Sequence, residues 1–428
     1  MRNIWQIDIC RLQRIFCVPI PDFSQYLIIS KRDAALCLYY VGIFFAFYTS
    51  LAPYCLWKFY MYEQYIAFFP VLLAFLMSLS LSLPLFNRKD YLLPFIAYCL
   101  CSVVMNVLGG KNLNGHIGSL FIGIIFLSLF MFDRKELERL GDALSASMGM
   151  ILIPSMITFL LFLNGIHLPH FHIVGIGNYS YENYIFFLLD DRFAMDIYPR
   201  FHSIFLEPSH MAMACIALLL TQVGRWKRWY NLAMFGAIIL SFSLAGYLFL
   251  VTILFCASWM LHKGILKKLL IMIAGVSVIV WLSLSYEGGD NLANRLIIER
   301  LAVGDDGKIE GDNRVTEGFE REYESFTKSD KFLFGEGVVK FERYNVSGNA
   351  GYRVFLYKFG LLSLIFLALF YLTFASMSTQ KRSVAVMFLV SIMSFIPHGI
   401  PLKFYFFIPL YILTFRDLTP YIHQQQKP

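Results

Sequence analysis

Residues 352–375 read YRVFLYKFGLLSLIFLALFYLTFA, and their only charges, Arg353 and Lys358, stand near the start. A helix needs about 20 apolar residues to cross the hydrocarbon of a bilayer, and this stretch supplies them. Working outward, comparable runs lie at roughly 34–53, 65–86, 91–108, 116–132, 143–164, 204–223, 230–243, 245–261, 269–285, 384–397 and 402–416, making twelve with the first. The stretch 230–261 is too long for one crossing and reads as two short ones meeting near Ser243-Leu244-Ala245-Gly246. Composition agrees: 58% of the 428 residues are hydrophobic, 15% are charged, and mean hydropathy is +0.61. Soluble domains carry about 25% charged residues, so a soluble multi-domain enzyme, a disordered chain and a secreted disulfide scaffold are all excluded. The 43 Phe and 25 Tyr suit lipid contact and interfacial belts.

Charge orders these runs. Arg88/Lys89, Arg134/Lys135/Arg139, Arg225/Lys227/Arg228, Lys263/Lys267/Lys268 and Lys381/Arg382 occupy alternate connections, while Lys58, Lys111 and Lys403 alone occupy the short ones between them. Cations collect on the cytoplasmic side of a polytopic protein. The expected fold is therefore an all-α, polytopic transmembrane helical bundle of about 12 spans with both termini cytoplasmic. Residues 1–33 and 417–428 are its cytoplasmic ends, and 34–164, 204–285 and 352–416 hold spans 1–5, 6–9 and 10–12. Two long polar loops, 165–203 and 286–351, fall on the exported side. The second carries fourteen acids and nine cations, a net charge of −5, and Asp312 is expected to cap a helix from about Asn313 to Phe326. On that helix Arg314, Glu317, Arg321 and Glu324 would share one face. None of the eight cysteines lies in either loop, so no disulfide framework is implied, and the first 33 residues lack the pattern of a cleavable signal peptide. No basic face for nucleic acid is visible outside the cation-bearing turns.

Three groups of residues can carry chemistry. The first is Arg200-Phe-His-Ser-Ile-Phe-Leu-Glu207-Pro-Ser-His210, where the first polar loop enters a span. Pro208 suits the first helical turn. Glu207 then either caps that helix and favours its dipole or takes a proton from a substrate hydroxyl as general base. Arg200 either binds an anion or pairs with Glu207 or Asp196. The second group is Arg353, Lys358 and Lys403 at span heads, where a cation either snorkels to lipid phosphate or binds a substrate pyrophosphate. The third is the loop set Arg295, Arg300, Arg314 and Arg321, most of which should sit in solvated ion pairs. His398, in the turn Pro397-His398-Gly399-Ile400-Pro401, is either an interfacial polar group or a donor to phosphate or sugar hydroxyl. His167, His170 and His172 cluster without an obvious carboxylate, so no metal site is expected. No nucleotide loop is present, so an anionic substrate must arrive already activated and no cofactor is expected.

These motifs resemble those of the bacterial O-antigen and capsule repeat-unit polymerases and their ligase relatives. The likeness rests on Arg200…Glu207-Pro-Ser before a span, Ser241-Phe-Ser243-Leu-Ala-Gly246 between two short spans, and Arg314 followed by Leu333-Phe-Gly335-Glu-Gly337, Ser347-Gly-Asn349 and Gly360. It spans about 34 to 416, with one departure: Leu244 follows Ser243 where many relatives have arginine. The resemblance implies a glycosyltransferase of the bacterial inner membrane, acting at its outer face. Such an enzyme moves a growing glycan from undecaprenyl pyrophosphate to the non-reducing end of a new lipid-linked repeat unit. Its partners would be the undecaprenyl-pyrophosphate-linked oligosaccharide, membrane lipid and a separate chain-length regulator. Arg200, Arg314 and Arg353 would bind pyrophosphate with Lys358 assisting and His210 close by, and Glu207 or His398 would activate the acceptor. A ligase transferring glycan to lipid A-core and a flippase for lipid-linked glycans are the alternatives, with a structural membrane scaffold a weaker one.

Overall fold

A computed structural model of the protein describes residues 31–80, 91–175, 179–191, 199–261, scattered positions between 270 and 294, 315–343, 349–399 and 402–423. The helices are α1 (Lys31–Leu51), α2 (Glu63–Ser80), α3 (Leu92–Leu108), α4 (Leu113–Met131), α5 (Arg134–Leu163), α6 (Pro208–Thr221), α7 (Trp229–Leu240), α8 (Leu244–Met260), α9 (Glu317–Thr327), α10 (Val338–Glu342), α11 (Tyr352–Met377), α12 (Lys381–His398), α13 (Phe404–Phe415) and α14 (Thr419–His423). Helices stand on eleven of the expected apolar runs; the remaining run, 269–285, lies largely outside the described residues. By length and hydropathy α1, α4, α5 and α11 suffice to cross a membrane, and α3, α6, α7, α8 and α13 are shorter apolar helices. The chain is a mostly helical membrane protein.

The short helices have a physical explanation in their position. Nearly every side chain of α6 and of α13 is buried, so these two are enclosed by other helices rather than by lipid. At 14 residues α6 is only about 21 Å long. The expected role of the aromatics in lipid contact is therefore incomplete. Phe126 and Phe130 of α4, Phe370 and Phe374 of α11, and Phe407 and Tyr411 of α13 form a continuous buried aromatic core, with neighbouring centroids such as Phe126–Phe407 at 4.9 Å and Phe130–Tyr411 at 5.1 Å. The Phe126–Phe407 pair is edge-to-face, and such pairs add about 1 kcal/mol each beyond their burial. Elsewhere small residues set the approach: Gly149 of α5 lies against Tyr230 of α7, where a Cβ would come 2.8 Å from the Tyr230 Cα.

Each end of the bundle has its own chemistry. At one end the start of α5 meets the ends of α6 and α13. Asp142 accepts from Arg225 at 2.7 Å, from Arg228 at 3.2 Å and from Gln222 at 2.9 Å. Arg134 reaches Thr379 before α12, and Arg382 donates to the Trp259 carbonyl at the end of α8. Three of the cation-bearing turns, those of Arg134, Arg225 and Arg382, are thereby gathered at one end. Arg416 is also there, 1% exposed, its guanidinium on the Tyr421 ring at 5.4 Å.

The described parts of both polar loops lie at the opposite end. The first is not purely irregular: it holds a three-stranded antiparallel sheet, β1 (Phe171–Val174), β2 (Ser180–Asn183) and β3 (Leu188–Asp190), in the order β1-β2-β3. This is a departure from the expected all-α fold. Tyr181, Asn183, Leu188 and Asp190 form the buried face, and Phe187 beside them packs edge-on to Phe159 of α5 at 5.4 Å. In the second loop α9 begins at Glu317, capped by Thr316, whose hydroxyl accepts from the Phe319 amide. Asp312 and the expected start at Asn313 lie outside the described residues.

The arginine end should respond asymmetrically to mutation. Asp142→Asn leaves Arg225 and Arg228 without their shared anion and should lower stability by about 2 kcal/mol. Arg416→Met removes a buried charge and should be neutral or stabilising. Thermal melts of both variants in one detergent would check the contrast; equal losses would contradict it.

Candidate functional site

The segment 200–207 is held in place by backbone pairing on several sides. The Phe201 amide donates to the Leu240 carbonyl at 3.2 Å, the Leu188 amide to the Ser203 carbonyl at 2.9 Å, and the Tyr54 amide to the Ile204 carbonyl at 2.9 Å. Pro53 and Phe205 form a further antiparallel bridge. His202 is 1% exposed and its Nδ1 bonds the Phe205 carbonyl at 2.5 Å. Ser203 adopts a φ of 55°, unusual for a residue with a Cβ. These constraints deliver Glu207 to the N-terminus of α6, with Pro208 at the first helical position as expected.

Glu207 does not cap the helix with its side chain. Its carboxylate accepts from the Ser209 hydroxyl at 3.4 Å and stands 4.0 Å from His210 Nε2. The His210 ring faces His398 at 5.6 Å and Tyr405 at 5.8 Å between centroids. One carboxylate, two imidazoles and one phenol thus converge from α6, α12 and α13. The Tyr405 amide bonds Ser50 Oγ of α1 at 2.8 Å, which fixes the head of α13. Tyr405 is 1% exposed, and among the described residues its hydroxyl has no hydrogen-bond partner. A buried hydroxyl left unpaired costs about 1–3 kcal/mol, so a group that bonded this one would be favoured here. No local pattern singles out Tyr405: one tyrosine in the run Phe404-Tyr-Phe-Phe reads as an interfacial aromatic.

Among the other candidate residues, Arg200 is half-buried at the start of this segment. Arg314, Arg295 and Arg300 lie outside the described residues, and Arg321 is exposed on α9. Arg353 and Lys358 have protein partners of a kind neither expected reading supplied. Arg353 donates to Glu320 of α9 at 3.2 Å and lies near the Tyr323 and Tyr352 rings. Lys358 Nζ sits 4.0 Å from the centroid of Phe341 in α10, a cation–π contact. Ser243 caps α8, accepting from the Gly246 amide at 3.2 Å, while Phe242 before it turns through a φ of 44°.

The glycines of the second loop have a shared purpose. α11 breaks at Gly360, with φ 72° and ψ 172°. That break frees carbonyls inside the helix, and buried backbone groups need partners. The loop provides them: the Glu336 amide donates to the Tyr357 carbonyl at 2.7 Å and the Gly337 amide to the Lys358 carbonyl at 3.2 Å. In return the Leu362 amide donates to the Leu333 carbonyl at 3.0 Å, and the Val338 amide bonds Gly109 at the end of α3 at 2.9 Å. Gly335 and Gly360 approach so closely that a Cβ on Gly360 would lie 2.5 Å from the Gly335 nitrogen. Glu336 also binds Lys340 at 2.9 Å and Lys331 at 3.0 Å. Burial pushes its carboxyl up, but these two ammonium groups outweigh burial and hold it below the ordinary value. On the other side of the knot, Gly351 at the head of α11 lies against the Ile396 and Pro397 carbonyls and Gly399. The turn bearing His398 and the helix bearing Arg353 are therefore neighbours.

Compared with known proteins, the chain matches no family model, no curated protein and no solved structure.

Gly360→Ala should undock the second loop, because left-handed strain alone costs a residue with a Cβ about 1–3 kcal/mol. Limited proteolysis between residues 315 and 343 should accelerate roughly tenfold or more, whereas Gly318→Ala, in open space on α9, should not accelerate it. The depressed Glu336 carboxyl contributes stability above its unfolded value of 4.5 and loses it as pH falls through the lower folded value. Melts between pH 6 and pH 3 should accordingly show a smaller acid loss in Glu336→Gln than in the wild type.

Proposed function

We propose that the protein is a membrane glycosyltransferase of the polysaccharide-polymerase type, acting at the outer face of a bacterial inner membrane with both termini in the cytoplasm. The observation that carries the reading is the unpaired, buried Tyr405 hydroxyl beside Glu207 and His210, at the bundle end that also bears the polar loops. This cluster suits a proton transfer at the edge of the hydrocarbon, where a lipid-linked sugar would present its reacting carbon.

In the proposed reaction an acceptor sugar hydroxyl hydrogen-bonds Tyr405 and gives its proton to Glu207. The acceptor oxygen bonds the anomeric carbon of the growing glycan as the bond from that carbon to undecaprenyl pyrophosphate breaks. His210, 4.0 Å from the carboxylate, orients Glu207 and shares the proton it receives. His398 stands behind His210 and contacts the acceptor or a phosphate oxygen. The leaving group is a stable dianion-type phosphate that needs fixed cations rather than a strong acid. Arg200 and Arg353 supply charge from the 200–207 segment and the head of α11, and Arg314 and Lys358 complete the set in this reading. Arg353 is held by Glu320, so pyrophosphate would draw it into a shared pair.

Loss of a general base typically costs about 10²- to 10⁴-fold in rate. In a deletion strain complemented at equal membrane levels, Glu207→Gln should abolish polymer ladders and Tyr405→Phe should shorten them. Wild-type ladders from Glu207→Gln would reject the assignment. Free polymer accumulating on the undecaprenyl carrier would point instead to a ligase, and substrate retained in the cytoplasm to a flippase.

A further inference from the structure

We propose a divalent metal site of the zinc class on the small sheet of the first polar loop, formed by His170, His172, Glu182 and Asp191. This inference is independent of the Glu207 cluster and reverses the expectation that the histidines lack a carboxylate partner.

Strand register brings these residues together. In the β1–β2 ladder His172 pairs with Glu182, and in the β2–β3 ladder Glu182 pairs with Leu189. Side chains alternate faces along a strand, so His170, His172, Glu182 and Asp191 share one side. That side is the accessible one, since Tyr181, Asn183, Leu188 and Asp190 are buried. The spacing of histidines at every second residue thus has a meaning in a strand that it lacks in a loop.

Donor geometry fits. His172 Nδ1 lies 3.3 Å from Glu182 Oε1 and 3.8 Å from Asp191 Oδ2, and one ligand atom from each of the three lies within 4.8 Å of the others. Ligand atoms of a tetrahedral zinc site are about 3.4 Å apart, given metal–ligand distances of about 2.0–2.1 Å. His170 adds a fourth donor: its Nε2 is 3.8 Å from Glu182 Oε2. Its other nitrogen, Nδ1, faces the Leu168 carbonyl at 3.3 Å. A proton on Nδ1 donated to that carbonyl leaves the Nε2 lone pair toward the cluster, the arrangement that metal-binding histidines use. The His170 ring also stacks on Tyr184, with centroids 5.0 Å apart, and Tyr184 stacks in turn on Phe187 at 4.6 Å. Two imidazoles and two carboxylates favour zinc over calcium or magnesium, which prefer oxygen ligands alone. Bound metal would staple β1 to the chain leaving β3, near the point where Leu188 bonds the 200–207 segment.

The test is Zn²⁺ titration of the purified full chain in detergent, by calorimetry and by competition with a chelating dye. Wild type should bind one equivalent saturably, and X-ray absorption of the loaded protein should show two imidazoles in a nitrogen/oxygen shell. His172→Ala and Glu182→Gln should each weaken that equivalent roughly tenfold or more, while His167→Ala, outside the set, should leave it unchanged. Mg²⁺ should not compete. Because the four side chains are accessible on the sheet surface, melting without zinc should match among all variants. Unchanged Zn²⁺ affinity in His172→Ala and Glu182→Gln, or loss of affinity in His167→Ala equal to theirs, would overturn the proposal and leave a solvated ion-pair cluster in its place.

Discussion

Backbone amides and carbonyls that enter hydrocarbon must find partners inside the protein, and this demand organises the polar end of the bundle. α11 breaks at Gly360. A break in an apolar helix is tolerable only where other groups take up the freed hydrogen bonds. Here the amides of Glu336 and Gly337 do so, and Leu362 returns a bond to Leu333. The second polar loop is consequently part of the helical bundle rather than an appendage to it. Its position in turn decides where Glu320 meets Arg353 and where Phe341 meets Lys358.

A similar economy governs the first loop. Segment 200–207 is pinned by Leu240, Leu188 and Tyr54 before it enters α6. Rigid support of this kind lets a short stretch hold Glu207 beside His210 in one arrangement. α6 and α13 run side by side through the centre, buried along nearly their whole length. Their heads bring His210 and Tyr405 together, and their ends bring Arg225 and Arg416 near Tyr421. The same pair of helices therefore joins the Glu207, His210 and Tyr405 cluster at one end to an arginine cluster at the other.

Electrostatics differs in kind at the two ends. The arginine end joins Arg225 and Arg228 through Asp142, with Glu138 4.0 Å from Arg225, and keeps Arg416 buried against an aromatic face. The opposite end distributes its cations among separate partners: Glu320, Phe341 and Glu336 each hold one or two.

Apolar run lengths alone determined that this is a helical membrane protein, because hydrocarbon thickness sets a minimum that few soluble helices satisfy. The joint near Ser243 and the proline at the head of α6 were equally legible, since capping and proline placement are local rules. The alternation of cations foretold that turns near Arg134, Arg225 and Arg382 would share an end. Tertiary structure alone decided the rest. The burial of Tyr405, the partners of Arg353 and Lys358, the docking of Gly335 on Gly360, and the carboxylates facing His172 all join residues far apart in sequence or depend on strand register. No local pattern encodes such pairings, because they arise only when separate elements are packed together to satisfy one another's polar groups.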